Sequence, residues 1–206
     1  MQWDKLATDE SINKTIAALQ ANGIDAIVVN TGEDAKNKVL ELIPKQAEVM
    51  PMTSVTLDSI GISQAINESG EYHSVRNKLN QLNRETQGAE MQRLGAAPEW
   101  AVGSVHAVTE DGKVFIASNS GSQLPAYAYG SEHVIWIVGA QKIVKNADDA
   151  TSRIYDYVLP IETKRARKAY GLPDTFHSNV SKLLLITKEL IPHRITLIFV
   201  KEQLGQ

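Results

Sequence analysis

The sequence predicts an α/β protein of three layers, α/β/α, with a mostly parallel sheet at its centre. Strand-length apolar runs alternate with segments of helical period over most of the chain. One run, His133-Val134-Ile135-Trp136-Ile137-Val138-Gly139, is apolar on both faces, the pattern of a central strand covered from two sides. Turns rich in Ser, Thr and Gly follow several of the strands, at the places where a helix would start.

From Asp9 to Asn22, Ile12, Ile16 and Leu19 fall at i, i+4 and i+7, and Gly23 follows where a helix ends in the left-handed conformation. Ile24 to Val29 is a short apolar run closed by Asn30-Thr31-Gly32. Ala35, Val39 and Leu42 then resume helical spacing as far as Pro44. Glu48-Val49-Met50 reads as a strand, Pro51-Met52-Thr53-Ser54 as its turn, and a helix through Leu57 and Ile60 reaches Gly61. Two parallel strands with helical crossovers follow from this order. Between Ser74 and Ala97 one long surface helix is expected, with Val75, Leu79 and Leu82 as its apolar stripe, Met91 and Leu94 continuing it and Gly88 as a point of interruption. Arg76, Lys78, Arg84 and Arg93 read as its solvated face, with a ligand-binding role as the alternative.

Beyond Gly103, Ser104 to Thr109 and Lys113 to Ala117 flank Glu110-Asp111-Gly112, a hairpin signal. Asn146 is placed to cap a helix on which Ala150, Ile154 and Tyr157 share a face, with Pro160 near its end. Thr163 to Lys168 is the one basic cluster and reads as solvated helix, with phosphate or acidic-partner binding as the alternative. Leu183 to Thr187 and Ile195 to Val200 are two more strands, joined by a loop containing Pro192. No repeat or low-complexity linker interrupts the series, so residues 1–206 are expected to form one α/β domain.

Composition narrows the partners. Hydrophobic residues at 43% and charged residues at 22% of 206 decide for a globular chain with a sizeable core. A formal charge of −3 without a dominant basic block gives no electrostatic reason to expect a long nucleic-acid or anionic-membrane footprint, and favours small ligands or protein partners. The chain has no cysteine, which excludes disulfides, thiolate nucleophiles, Cys-ligated zinc and Cys-ligated iron–sulfur clusters. The start, Met1 to Asp9, is polar, and the longest apolar runs fall well short of the ~20 residues of a membrane helix. A cytoplasmic protein is expected, and a homo-oligomer stays open.

In open α/β sheets, ligands bind beyond the carboxyl ends of the strands. Three segments fit that place: Asn30-Thr31-Gly32, Thr53-Ser54-Val55-Thr56 and Ser118-Asn119-Ser120-Gly121-Ser122. Helix capping accounts for the same residue types. Neither a Walker lysine motif nor a dinucleotide glycine fingerprint is present. Glu110 is the candidate carboxylate for acid/base work or an acyl link, although a hairpin turn predicts the same letters. The histidines at 73, 106, 133, 177 and 193 have no metal-ligand spacing, so no metal site is expected. His106 and His133 are candidates to line a site or to pack against a strand. Ser104, Ser120 and Ser122 lack a nucleophile elbow. Trp100 and Trp136 read as core, and Tyr127 and Tyr129 as packing or a pocket wall.

Three ordered segments resemble the LUD-domain family, named for lactate utilisation and including LutC/YkgG-like proteins. They are Ser54 to Gly61, Gly103 to Gly112, and Tyr129-Gly130 through His133 to Gly139 and on to Lys142-Ile143-Val144. The resemblance implies a fold similar to the sugar-phosphate isomerase and CoA-transferase superfamily (the NagB/RpiA/CoA-transferase-like fold), whose strand-end loops hold phosphorylated sugars, nucleotides or acyl-CoA. It also implies a link to oxidation of lactate or related organic acids alongside iron–sulfur partners. This chain departs from the family pattern twice. Gly121-Ser122-Gln123 stands where related sequences often read Gly-Asn-Arg, and Gly171 to Ser181 has no cysteines where many carry a cysteine-rich segment.

The leading expectation is a site for a small anionic or nucleotide-like ligand near Ser54, Thr56, Ser104, Glu110, Ser120 and Gly121. Anion binding is assigned to Ser54, Thr56, Ser120 and the Gly121 backbone, and acid/base or acyl chemistry to Glu110. Two alternatives remain: a non-catalytic accessory subunit of an oxidoreductase complex, and a transferase or isomerase acting on a CoA ester or sugar phosphate.

Overall fold

The computed structural model describes residues 2–206. Its main sheet has six strands: β1 (Asp25–Val29), β2 (Glu48–Pro51), β3 (His73–Ser74), β4 (Trp100–Gly103), β7 (His133–Gly139) and β10 (Ile195–Val200). They are all parallel and lie in the order β1-β10-β7-β4-β2-β3. The doubly apolar run 133–139 is central, hydrogen-bonded to β10 on one side and β4 on the other.

Strand alternation divides its side chains between two cores. Val134, Trp136 and Val138 enter one, together with Leu197 and Phe199 of β10; Ile135 and Ile137 enter the other, together with Ile198 and Val200. The second core is closed by Ala35 and Val39 of α2 (Gly32–Leu42), Leu57 of α3 (Val55–Ser59), and Ile62 and Ile66 of α4 (Ile62–Glu68). The first is closed by Leu19 of α1 (Asp9–Ala21), Val75 and Leu79 of α5 (Val75–Asn80), and a second sheet. The main sheet therefore lies between layers on both of its faces, as the three-layer α/β/α reading requires.

The second sheet was not foreseen. It comprises β5 (Ala107–Thr109), β6 (Val114–Ser118), β8 (Ile143–Val144) and β9 (Lys182–Ile186), in the order β8-β5-β6-β9. The Asp111-Gly112 hairpin joins β5 to β6, with Gly112 at φ +80°. Val108, Val114 and Ile116 of this sheet face the first core. Ala107, Phe115 and Ala117 face outward onto Ala150 and Ile154.

Two helices differ from expectation. The expected helix 74–97 is two, α5 and α6 (Gly88–Ala96). In the connection, the Asn83 and Glu85 backbone N–H groups donate to the Gln87 and Asn83 side-chain oxygens, an alternative to helical bonding that Asn and Gln readily supply. The helix capped by Asn146 does not end near Pro160. α7 (Ala147–Ser152), a wide π turn (Arg153–Val158) and α8 (Leu159–Tyr170) run end to end. Proline lacks an N–H and crowds the carbonyl four residues back, and the π turn just before it loosens the spiral there. The strands near 183 and 195 are β9 and β10, which belong to different sheets. Among the described residues, no helix is long and apolar enough to cross a membrane.

Candidate functional site

β7, β4 and β2 are neighbours and parallel, so the turns at their carboxyl ends emerge side by side. These turns carry Thr53 to Thr56, Ser104 to His106, and Ala140–Lys142. With the turn after β6 and parts of α5, α6 and α8 they line a cleft of about 1030 Å³. That volume accommodates a metabolite or a nucleotide-sized ligand.

Lys142 is the chemically unusual group in it. Its side chain is 3% exposed. Nζ lies 3.3 Å from Thr56 Oγ1, 3.1 Å from Ser104 Oγ and 3.1 Å from the Val105 carbonyl oxygen. No carboxylate among the described residues pairs with it. Burial, reinforced by the positive charge of Arg153, brings its pKa down to about 7. An amine so tuned exchanges a proton near neutrality.

Around it, the charges are arranged to keep the neighbouring imidazole neutral. His106 Nδ1 accepts the Ala117 N–H at 3.1 Å, which leaves the ring proton on Nε2. Burial, then Lys142 and Arg153, push the His106 pKa down to about 3. Arg153 is fully buried and donates from Nη1 to the His106 carbonyl oxygen at 2.6 Å, while its Nε and Nη2 find no hydrogen-bond partner. Burial lowers its own pKa to about 10. Tyr127 contributes an apolar wall, edge-on to Trp136 at 5.5 Å.

A second cation faces the cleft from α5. Arg76 is half-buried, and Nη2 donates to the Pro51 carbonyl oxygen at 3.2 Å and to Thr53 Oγ1 at 3.4 Å. It too has no carboxylate partner among the described residues. Burial lowers its pKa, with Asp58 acting the other way. By contrast, Arg165 at the cleft wall is held by Glu162 through Nε and Nη2, each bond 2.7 Å.

The structure brings together Ser54, Thr56, Ser104, Ser120 and Gly121, which all line this cleft. Ser54 occupies the N-cap of α3 but makes no capping hydrogen bond, so capping does not account for its hydroxyl. Ser120 Oγ is bonded to Ser122 Oγ at 3.1 Å, within the turn itself. The Gly121 N–H donates to Ser118 Oγ at 2.8 Å, so this amide is committed to the turn rather than offered to an anion. Its positive φ of 86° is what the turn takes from glycine.

Glu110 lies elsewhere. Its carboxylate accepts from Ser11 Oγ and Lys14 Nζ, both at 2.7 Å, at the far end of the β5–β6 hairpin. Those bonds to Lys14 and Ser11 hold its pKa below the ordinary glutamate value. Thr31 is likewise spent locally, in a reciprocal capping box with Asp34. Tyr129 is exposed outside the cleft, and His133 stacks on Trp100 with ring centroids 4.1 Å apart. Sequence reasoning missed Lys142 and Arg76. A lysine three residues after a doubly apolar strand was the available signal for the first; helical spacing placed the second on a solvated face.

The LUD domain family model matches residues 12–200. The chain belongs to the LUD-domain family. Its fold is also that of a DUF162 family protein from Deinococcus radiodurans, with a TM-score of 0.57 at 12% identity over 95% of this chain and 99% of the other. No curated protein matches. Gln123 stands where the resemblance implies an arginine, but the cleft of this LUD domain is lined by the cations Arg76 and Lys142 from other elements. Gln123 itself accepts from Ser118 Oγ at 3.0 Å and so braces the turn.

Proposed function

We propose that this LUD-domain protein binds a small anionic or nucleotide-like metabolite in the strand-end cleft, and that it serves lactate or related organic-acid utilisation. The observation that carries the reading is Arg76. A half-buried guanidinium without a directly paired carboxylate is a charge whose desolvation Asp58 and two hydrogen bonds offset only in part, and an anion in the cleft would offset the rest. The hydroxyls of Ser54, Thr56 and Ser104 add neutral donors to the same cleft, and Ser120 lines it as well. Family membership supports the metabolic assignment, which also rests on the motifs in Ser54 to Gly61 and Gly103 to Gly112.

Thermal-shift screening followed by calorimetry, with carboxylic acids, phosphate esters and nucleotides, tests the binding. Arg76→Gln is expected to weaken the selected ligand by tenfold or more, about 1.4 kcal/mol. Unchanged affinity in both Arg76→Gln and the Ser54→Ala/Ser120→Ala pair removes the assignment.

A second reading, an accessory subunit of an oxidoreductase complex, is favoured by β9. This edge strand leaves Leu183 and Leu185 exposed at 42% and 45%. Co-purification with a dehydrogenase from native extract, lost on Leu183→Glu/Leu185→Glu, supports it; a chain that runs alone in that extract speaks against it.

A further inference from the structure

We propose that the Lys142 amine is a covalent group, which condenses with the aldehyde or ketone of a small anionic carbonyl compound held in the cleft and forms an imine. This deepens the anion-binding reading and rests on it, since Arg76 is the group that meets the anionic end of the compound.

Three features of the geometry carry the inference. First, Lys142 is a buried amine in a cleft without an acid partner, so neither an ion pair nor a solvent shell accounts for its presence there. Second, its three contacts serve both protonation states. As an ammonium it donates to Thr56 Oγ1, Ser104 Oγ and the Val105 carbonyl oxygen. As an amine it keeps two of these as acceptors and receives the third hydroxyl proton on its lone pair, because Ser and Thr hydroxyls donate as well as accept. The proton therefore leaves without stranding a polar group. Third, the remaining parts that such chemistry needs line the same cleft. The two hydroxyls flank the nitrogen, His106 contributes a neutral ring with its proton on Nε2, and Met50, Met52, Leu79 and Tyr127 supply apolar walls.

The bond changes balance within these groups. The Nζ lone pair adds to the carbonyl carbon, and a proton passes from nitrogen to the carbonyl oxygen to give a carbinolamine. The hydroxyl leaves with a second proton as water, relayed through Ser104 or Thr56, and C=N replaces C=O. No oxidant or reductant is consumed. With its pKa near neutral, Lys142 holds on the order of a thousandfold more free amine at pH 7 than an unperturbed lysine.

Borohydride trapping tests this on the full chain. The protein is incubated at pH 7 with pyruvate in one arm and glyceraldehyde 3-phosphate in the other, reduced with sodium cyanoborohydride, and mapped by peptide mass spectrometry. The expected result is a stable secondary amine at Lys142, formed on the order of a hundredfold faster than at the exposed Lys164 or Lys188. It should be lost in both Lys142→Met and Lys142→Arg and reduced in Arg76→Gln, and the arm that labels faster identifies an oxo acid or a phosphorylated aldehyde as the source. Labelling of Lys142 no faster than of the surface lysines in either arm overturns the proposal. Calorimetry with the same compounds separates the two readings: binding without an adduct removes the imine and leaves anion binding standing, while neither binding nor adduct removes both.

Discussion

Arg194 Nη1 donates to Glu189 Oε2 at 2.7 Å with both side chains nearly sealed from water, at 2% and 11% exposure. The same guanidinium donates from Nε to the Ser131 carbonyl oxygen at 2.9 Å and from Nη2 to those of Ala126 and Tyr127 at 3.1 and 3.0 Å. One side chain thus ties the loop before β10 to the turn that carries Tyr127 into the cleft. The site's apolar wall depends on an ion pair outside the cleft.

Arg194→Met is expected to destabilise the protein by about 3–5 kcal/mol, because it leaves Glu189 partly buried without its counter-charge and takes the Arg194 donor from three carbonyls, of which that of Ala126 keeps the Ser131 N–H. The midpoint of urea unfolding reads the loss. Adding Glu189→Gln to Arg194→Met should recover part of it; a double variant no more stable than the single one would show that the backbone contacts, not the ion pair, carry the energy.

The same pair sets an acid limit. Burial alone would raise the Glu189 pKa, but the Ile191 and Leu190 N–H groups and Arg194 outweigh it and hold the carboxyl below its ordinary 4.5. A group that ionises more readily when folded contributes stability above its unfolded pKa and loses it as pH falls through the folded one. Wild-type stability should therefore drop more steeply than that of Glu189→Gln below about pH 4.5. Parallel pH profiles of the two would place this acid sensitivity elsewhere.

How much of this was legible follows from where burial leaves a trace in the letters. β7 and β10 are covered on both faces, so their runs are apolar throughout and their extents were readable. β4 is only Trp100–Gly103, and the chain runs on from it into the segment that builds β5, so it was not separated from the hairpin. The second sheet escaped because β8 has two residues and local pattern does not say which sheet a strand joins. In the site, hydroxyl-rich turns were readable because the fold class fixes which strand ends face a ligand. Lys142 and Arg76 were not, because a charged letter ordinarily marks solvent; what buries them is the meeting of elements distant in sequence. Glu110 shows the converse, a turn carboxylate whose partners, Ser11 and Lys14, come from α1.

Gly103 packs closely against Tyr127, which lines the cleft. A Cβ on Gly103 would lie 1.7 Å from the Tyr127 hydroxyl oxygen and 2.9 Å from Cζ. Gly103→Ala is therefore expected to cost about 1–3 kcal/mol by overpacking and to displace the ring. Removing the hydroxyl takes away the worst contact but not the ring contact, so Gly103→Ala/Tyr127→Phe should regain part of the stability. Denaturation of the four members of the cycle gives the coupling, expected between about 0.5 and 3 kcal/mol. Strict additivity would mean that the β4 backbone, rather than this contact, resists the substitution.

Lys142 should leave its mark at the other end of the pH scale. It loses its proton near pH 7 when folded, against 10.5 for the ordinary lysine of the unfolded chain. Between those values the unfolded chain holds the extra proton, so stability rises with pH. Below pH 7 both states are protonated and the cost of burying an ammonium is present in full. Lys142→Met removes this dependence while keeping most of the side-chain volume. The stability of wild type relative to Lys142→Met is therefore expected to be flat below about pH 7 and to rise by a few kcal/mol, in order of magnitude, toward pH 10. Arg153 adds to the shift, so Arg153→Met should move the start of the rise to higher pH if the protein still folds. A difference curve that stays level from pH 7 to 10 would mean an amine of ordinary basicity, and with it the loss of the free base on which imine formation at neutral pH depends.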